Sequence, residues 1–348
     1  MAEIGGGATT YTGRDVERQL AARGLATEYD PTGGKLVGVH PASSSGSGSG
    51  ARVEPVKVKI TDLAAFLMQP GPREGPVQCL ITREKDTIVG MKNHKYQLFL
   101  EDGRRFLLAG RRRKGTAPSR YDITTSQSAG AGARYAPGFV AKLKANFVGT
   151  EFQLVDAGAK PGSAAAGPSG GSSGSSGAGV GGKEGALAPQ RELAAIAYEP
   201  NILGTKGPRK MVAALPLAQE HSRGRIASQQ SASAGGEASL LDHLKSEAAA
   251  SKDQHPHQRP PPPAAMLRNK APRWNDAMHA FCLNFGGRVS VASVKNFQLV
   301  LDGDPDTVVL QFGKAGDETF TCDFRWPLTP LQAFAICLSS FDSKLACE

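Results

Sequence analysis

Residues 328–346 read LTPLQAFAICLSSFDSKLA, and this stretch decides the fold. At helical spacing its apolar side chains cover nearly the whole circumference, so no wide polar face remains. A helix that is apolar on every side must be surrounded by lipid or by its own protein. The apolar run is shorter than the roughly 20 residues that cross a bilayer, so we predict a central helix enclosed by the rest of the chain. Its predicted core residues are Leu331, Phe334, Ile336, Leu338 and Phe341.

The segments upstream of this helix alternate apolar and polar residues and are separated by turn residues, which is typical of β-strands. Many short strands and one enclosed helix indicate a mostly β fold, a closed antiparallel β-barrel. Closure removes exposed strand edges, and a barrel of more than about eight strands has interior room to fill. The alternation does not fix the number of strands. The clearest predicted strands are Tyr96–Leu100, Arg105–Leu108, Phe152–Val155, Phe281–Phe285, Val289–Val291, Phe297–Leu301, Val308–Phe312 and Phe320–Phe324.

Composition divides the 348-residue chain into a barrel domain and low-complexity segments. Residues 1–53 are rich in Gly and Ser, and we predict a disordered N-terminal tail. The barrel domain is predicted over residues 54–348, with flexible low-complexity loops at about 157–188 and 219–263. These loops hold too little apolar surface to offset the entropy lost on ordering.

The sequence offers no sign of catalysis, of a metal site or of a cofactor. It contains no nucleophile elbow, no HExxH, no Walker loop and no pair of cysteines at metal-ligand spacing, and its seven histidines are scattered. The five cysteines are odd in number and lack paired spacing, so we expect reduced, structural thiols. They are Cys79, Cys282, Cys322, Cys337 and Cys347.

Basic residues outnumber acidic ones, 41 to 32, which gives a formal net charge of +9. An excess of this kind favours an anionic partner where the charges cluster. The densest run is RRRK at residues 111–114, and Lys142 and Lys144 form a second cluster. Side chains alternate along a strand, so Arg111 and Arg113 share one face, and Arg112 and Lys114 share the other. Such a run also fits a solvated strand end, a nuclear-localisation signal or a nucleic-acid patch.

Several long stretches resemble the C-terminal domain of the tubby-like proteins, and together they extend over about residues 55–348. This resemblance implies a twelve-stranded barrel closed around a central hydrophobic C-terminal helix. The stretches are RFLLAGRRRK (105–114), KLKANFVGTEF (142–152), YEPNILGTKGPRKM (198–211), APRWNDAMHAFCLNFGGRVSVASVKNFQLV (271–300) and PLTPLQAFAICLSSFDSKLACE (327–348).

The resemblance also implies that a basic pocket on the barrel wall binds phosphatidylinositol 4,5-bisphosphate. The family's pocket positions fall on Arg111, Arg113 and Lys144 in this sequence. Lys144 replaces the family's usual arginine, which keeps the charge but loses the fork that grips phosphate through two bonds. Glu151 stands where a lysine is common, so we expect a weaker head-group affinity with an unaffected fold. Further candidates for the pocket are Arg112, Lys114 and Lys142.

By resemblance, we expect a non-enzymatic, monomeric adaptor in trafficking or signalling that docks on the inner leaflet and carries protein cargo. Its expected location is the cytoplasm, peripheral at the plasma membrane, with nuclear and ciliary locations as further options. The alternative is a nuclear transcription regulator that binds nucleic acid through the same basic surface, and this binding would weaken steeply with salt. A ubiquitin-ligase adaptor would need a Leu-rich helical F-box before the barrel, and residues 1–53 do not provide one.

Overall fold

The computed structural model describes residues 54–88, 91–113, 117–128, 138–158, 190–199, 210–216, 239–250, 264–275, 280–291 and 293–342. Within these ranges the chain is mostly β-structure. The strands are β1 (Cys79–Ile88), β2 (Met91–Leu100), β3 (Phe106–Arg112), β4 (Arg120–Thr124), β5 (Phe139–Ala145), β6 (Glu151–Asp156), β7 (Glu192–Tyr198), β8 (Met211–Pro216), β9 (Ala264–Asn269), β10 (Arg273–Asn275), β11 (Ala280–Cys282), β12 (Phe297–Leu301), β13 (Asp304–Lys314) and β14 (Thr319–Phe324). The helices are α1 (Leu63–Met68), α2 (Leu240–Ala250) and α3 (Pro330–Ser339), with a 3₁₀ turn at Asp102–Arg104.

Twelve of these strands form a closed antiparallel barrel, as predicted. Strands β1 to β9 pair with their neighbours in chain order, β9 pairs with β12, and β12 to β14 complete the wall. Closure comes from β1 and β14, where Leu80 lies opposite Thr321. Strands β10 and β11 pair only with each other, outside the barrel. The strand number implied by the family resemblance is therefore confirmed.

Helix α3 runs through the barrel interior, and each of its ten residues is buried. Its N-terminus carries a capping box in which Thr329 and Gln332 satisfy each other's backbone N–H groups. The Gln332 side chain also donates to the Leu193 carbonyl oxygen on β7. All five predicted core residues are buried, and none exposes more than 8% of its surface.

The helix is shorter than the sequence predicted. It begins at Pro330 instead of Leu328 and ends at Ser339, after which i→i−3 hydrogen bonds continue to Asp342. The last part of the predicted helix, residues 343–346, lies outside the described residues. Close approach of the wall to the helix depends on Gly110 of β3, where an added Cβ would lie 2.7 Å from Leu338 Cδ1. A side chain at this position would occupy space that the helix fills.

Two predicted strands are wrong as barrel strands. Part of Phe281–Phe285 belongs to the outlying strand β11, and Val289–Val291 makes only an isolated bridge from Val291 to Lys314. The segment lies over the outer wall, where Leu283, Phe285 and Val289 form a small apolar cluster. One buried face is enough to produce alternation of period two, so the pattern arises here without a strand ladder.

Arg288 ties this outer segment to the barrel. Its guanidinium donates two hydrogen bonds of 2.7 Å to the Asp323 carboxylate and lies 2.6 Å from Glu101 Oε2. Burial raises the pKa of Asp323, and the Arg288 hydrogen bonds oppose that rise. Breaking such a pair from one side would leave a buried charge uncompensated.

Helix α2 lies inside the stretch 219–263, which the sequence predicts to be a flexible loop. Its Leu240 and Leu244 are buried against the outer faces of β7, β8 and β9. The prediction of a loop therefore does not hold for residues 240–250, because a few leucines suffice where the wall supplies small residues to pack against. The predicted tail 1–53 and most of the predicted loop 157–188 lie outside the described residues.

Cys79, Cys322 and Cys337 are buried free thiols. Burial raises the pKa of the Cys79 thiol, and the hydrogen bond shared with Cys337, together with burial, raises that of Cys322. The side chain of Cys282 and the whole of Cys347 lie outside the part of the chain that the structure describes. In the described part of the chain, no helix has both the length and the apolar character needed to cross a membrane.

Candidate functional site

The outer face of strands β2 to β5 carries the predicted pocket residues. On β5, Leu143 is fully buried toward the interior, so Lys142 and Lys144 project from the opposite side. On β3, Gly110 faces helix α3, which places Arg111 outside. Arg113 follows β3, and its N–H donates to the Arg120 carbonyl oxygen at 2.7 Å, which extends the pairing by one residue. Arg111, Arg113 and Lys144 therefore lie on the same outer face.

Cross-strand register arranges this face in two rows, because residues directly opposite each other point to the same side. Arg111 lies opposite both Lys95 on β2 and Asp122 on β4, and Asp122 lies opposite Lys142. In the second row, Arg120 lies between Arg113 and Lys144. We call the six basic side chains of the two rows the basic face. They are Lys95, Arg111, Arg113, Arg120, Lys142 and Lys144.

Strand geometry sets the spacing of these cations. Neighbouring strands lie about 4.8 Å apart, and residues two apart along a strand lie about 6.6 Å apart. Arg111 and Lys142, two strands apart, are thus about 10 Å apart at the backbone. Long, flexible arginine and lysine side chains can span half of that distance. The basic face can therefore direct several cations toward one compact, multiply charged anion.

Polar contacts and aromatic packing hold several of these side chains. The Lys144 ammonium donates to Gln190 Oε1 at 3.3 Å, and the Lys95 ammonium lies 3.1 Å from Glu84 Oε2. Arg120 Nε donates to Asp122 Oδ1 at 3.3 Å. The Lys142 ammonium lies 5.4 Å from the centre of the Phe139 ring, a cation–π distance. Basic side chains outnumber the carboxylates of Glu84 and Asp122, so the face keeps an excess of positive charge.

Arg112 does not belong to this face. It lies on the inner side of β3, opposite Tyr121, and its Nη2 donates to Ser119 Oγ at 2.8 Å. Tyr121 in turn donates its hydroxyl to the buried Asp342 carboxylate, at 3.3 Å. Burial raises the pKa of Tyr121, and the nearby Arg112 charge opposes that rise. Alternation thus separates Arg112 from Arg111 and Arg113, while Lys114 lies outside the described residues.

Glu151 also points away from the basic face. Its carboxylate lies 3.1 Å from the ammonium of Lys245 on helix α2. Gln153 lies opposite Lys144, and its side-chain amide donates to Glu192 Oε1. The other carboxylate oxygen, Glu192 Oε2, accepts the Leu240 N–H at the start of α2. Because Lys245 balances its charge, Glu151 removes less positive potential from the basic face than its position in the sequence implied.

Sequence reasoning missed Lys95 and Arg120. Arg120 begins RYDIT, whose buried Tyr121 and Ile123 imply a polar opposite face. That pattern could have marked Arg120 as outward-facing, but only the pairing of β4 with β3 and β5 places it between Arg113 and Lys144. The described residues contain no group of three or more His, Cys, Asp or Glu side chains that could hold a metal ion.

Comparison with known proteins agrees with this architecture. The model of the Tub family matches residues 67–343. Protein king tubby 2 of Aedes aegypti is 38% identical over 328 residues, which cover 92% of this chain and 68% of that protein. Tubby-related protein 2 of Mus musculus is 38% identical over 289 residues, which cover 82% of this chain and 45% of that protein. From this match and the twelve-stranded barrel around its helix, we conclude that the chain belongs to the Tub family.

Proposed function

We propose that this protein is a non-enzymatic adaptor that binds phosphatidylinositol 4,5-bisphosphate through its basic face. The observation that carries the proposal is the convergence of Arg111, Arg113 and Lys144 on one outer face, with Arg120 between them. The ligand offers two vicinal phosphates on one ring, and several directed cations match that charge distribution. Rigid strands hold the backbone of each cation, so little order is lost on binding.

Each side chain has a distinct part in this proposal. Arg111 and Arg113 supply planar forks that can bond two phosphate oxygens at once. Lys144 supplies a point charge and must exchange its bond to Gln190 for the ligand. Arg120 adds a charge at the centre of the second row, although Asp122 offsets part of it. We expect the arginines to dominate the affinity and Lys144 to contribute less.

Magnitudes favour a directed pocket over general attraction. A basic residue near an anionic membrane contributes about 1 kcal/mol. Three such residues would give only a few kcal/mol, which is marginal for stable docking without directed phosphate bonds. The proposal therefore includes stereospecific head-group recognition. It also includes peripheral location on the cytoplasmic leaflet of the plasma membrane, a monomeric state, and transport of a protein cargo, toward the cilium or with release to the nucleus.

The test is vesicle co-sedimentation with and without phosphatidylinositol 4,5-bisphosphate, at matched surface charge. Replacing Arg111 or Arg113 by alanine should weaken binding about ten-fold or more, because each loses a charge-assisted pair of bonds. Lys144→Ala should weaken it less. Lys144→Arg should strengthen it, because the fork is restored. Equal recruitment to both vesicle types would contradict the pocket.

Arg268→Ala is the matched control for loss of one positive charge. Arg268 lies on β9, on another part of the wall, and pairs with Asp302 at 3.5 Å. Its loss should leave the phosphoinositide-dependent part of binding unchanged. A loss equal to that of Arg111→Ala would show that net charge, and not the basic face, controls recruitment.

The same variants separate lipid binding from nucleic-acid binding. Inositol 1,4,5-trisphosphate should compete with vesicles for the wild-type protein, since it carries the same vicinal phosphates. A gel shift of duplex DNA that survives the double change of Arg111 and Arg113 to alanine would indicate a separate nucleic-acid site. A DNA affinity above that for the lipid, abolished by the same change, would favour the nuclear alternative.

A further inference from the structure

The turn between β5 and β6 exposes two large apolar side chains at its tip. Phe147 exposes 74% of its surface and Val148 exposes 63%, the highest values for large apolar residues in the described parts of the chain. Polar residues are the usual occupants of a turn, so the turn itself does not account for this much exposed apolar surface. Two adjacent exposed apolar residues at a protruding point therefore call for an explanation outside the fold.

The backbone of this turn is fixed. Asn146 Oδ1 accepts hydrogen bonds from the N–H groups of Gly149, at 2.7 Å, and Thr150, at 2.9 Å. The Asn146 N–H donates to the Glu151 carbonyl oxygen, which closes the hairpin. Gly149 has a φ of +82°, a conformation that glycine adopts without strain. The two apolar side chains are thus presented at a defined place.

That place adjoins the basic face. Lys144 of the second row lies only three positions before Phe147 on the same hairpin. At the base of the turn, the Ala145 N–H donates to the Ser119 carbonyl oxygen, next to Arg120. The apolar tip therefore projects from the rim of the barrel beside the row formed by Arg113, Arg120 and Lys144.

We propose that Phe147 and Val148 insert into the interfacial region of an anionic, phosphoinositide-containing bilayer while the basic face binds the head group. This inference rests on the proposed function. Charge complementarity argues for the bilayer as the occupant, because the cations beside the tip bring it against an anionic surface. Interfacial binding grows with buried apolar area and with electrostatic attraction, and this rim offers both. In this arrangement the basic face recognises the phosphorylated head group. The apolar tip adds affinity only when that head group is part of a membrane.

The test compares two ligands with one variant, Phe147→Ser/Val148→Ser. Binding is measured to phosphatidylcholine vesicles that contain phosphatidylinositol 4,5-bisphosphate, and to soluble inositol 1,4,5-trisphosphate. We expect vesicle affinity to fall about ten-fold, since two apolar side chains lose their interfacial burial. Affinity for the soluble head group should stay within about two-fold of wild type.

Val294→Ser is the matched control. Val294 exposes 61% of its surface, but it precedes β12, which lies four strands around the barrel from β6. Its replacement should leave vesicle affinity unchanged. Phe147→Trp adds a direct readout: its fluorescence, compared with that of the wild type, should shift to shorter wavelength on vesicles and be quenched by brominated acyl chains.

The outcomes separate the two proposals. Unchanged vesicle affinity of the double serine variant would overturn insertion and leave head-group binding intact. Equal losses for vesicles and soluble head group would also overturn it, because the turn would then shape the pocket. If the wild-type protein ignores the soluble head group while Phe147→Trp still reports insertion, the proposed lipid specificity fails and the apolar contact stands.

Discussion

Two parts of the barrel wall carry different kinds of residue on their outer faces. Strands β2 to β5 and the residue that follows β3 carry basic side chains there, of which Lys95 and Lys142 are buried and the other four are partly exposed. Strands β7 to β9 present small residues, among them Ala195, Ala214 and Ala264, and helix α2 covers them. Inside the barrel the two regions are alike: Leu143 on β5 and Ile196 on β7 are both fully buried.

The difference shows which constraint acts on which face. The interior must fill the space around one helix at the density of a protein core, so its residues are apolar throughout. The outer face carries no such demand, since the strand ladder already satisfies the backbone. One part of the wall can therefore accumulate charge while another acquires a second apolar layer. The following predictions test this division, in order of decreasing effect.

The interior should be the most sensitive. Phe334→Ala in helix α3 removes a fully buried ring and should lower the free energy of unfolding by about 3–5 kcal/mol. Denaturant unfolding measures the loss. Phe147→Ala is the matched control, because the same atoms are removed from an exposed site, and its effect should stay within about 0.5 kcal/mol. Similar losses for both variants would contradict the enclosed helix.

The covered outer face should respond locally. Leu244→Ala removes a buried contact between α2 and the alanines of the wall, and should cost about 2 kcal/mol, the low end for such changes. Native-state hydrogen exchange should show lost protection in Leu240–Ala250 with the barrel amides unchanged. Lys245→Ala, which removes only the surface pair with Glu151, should have little effect. Loss of protection throughout the barrel would show that α2 is part of the main core.

Adjacent arginines should separate stability from binding. Arg112→Ala loses the bond to Ser119 on the inner side and should cost about 1–2 kcal/mol of stability, with head-group affinity retained. Arg111→Ala should show the reverse, a stable protein that binds poorly. Thermal unfolding and calorimetric titration with inositol 1,4,5-trisphosphate give the two readouts. The division would break down if both variants lost affinity to the same degree.

The smallest effect concerns a surface ion network. Hydrogen bonds from Arg83 and Lys85 lower the pKa of Glu318 from 4.5 to about 2. A folded-state pKa below the unfolded one gives stability that is present above about pH 4.5 and is lost as pH falls toward 2. Glu318→Gln should therefore be less stable than wild type at neutral pH, with the difference vanishing by about pH 2. The group is well solvated, so the difference should stay below about 1 kcal/mol. A constant difference across this range would exclude the linkage.

Particular residues show how far sequence reasoning could reach. Ile336 and Leu338 were predicted as core because a helix without a polar face admits only enclosure. Arg111 and Arg113 were assigned to one face because strand alternation is local. Their separation from Arg112 followed from the same rule, yet the sequence did not say which pair pointed inward; Gly110 against Leu338 decides that.

The remaining features depend on contacts between distant segments. Cross-strand register places Lys95 and Arg120 on the basic face. That register is set by hydrogen bonds between strands, which no local sequence pattern specifies. Residues 283–291 alternate like a strand, but they pack on the outer wall, where Arg288 forms an ion pair with Asp323.

By itself, the sequence determined that a wall of strands encloses the terminal helix, because periodicity and apolar content act over a few residues and are written locally. Only the tertiary structure decided which basic side chains share one face, that Glu151 pairs with Lys245, and that helix α2 covers the alanines of β7 to β9. Those outcomes depend on strand register and on the packing of α2. Both are stabilised by contacts between segments that are far apart in the sequence, and no local pattern identifies these segments.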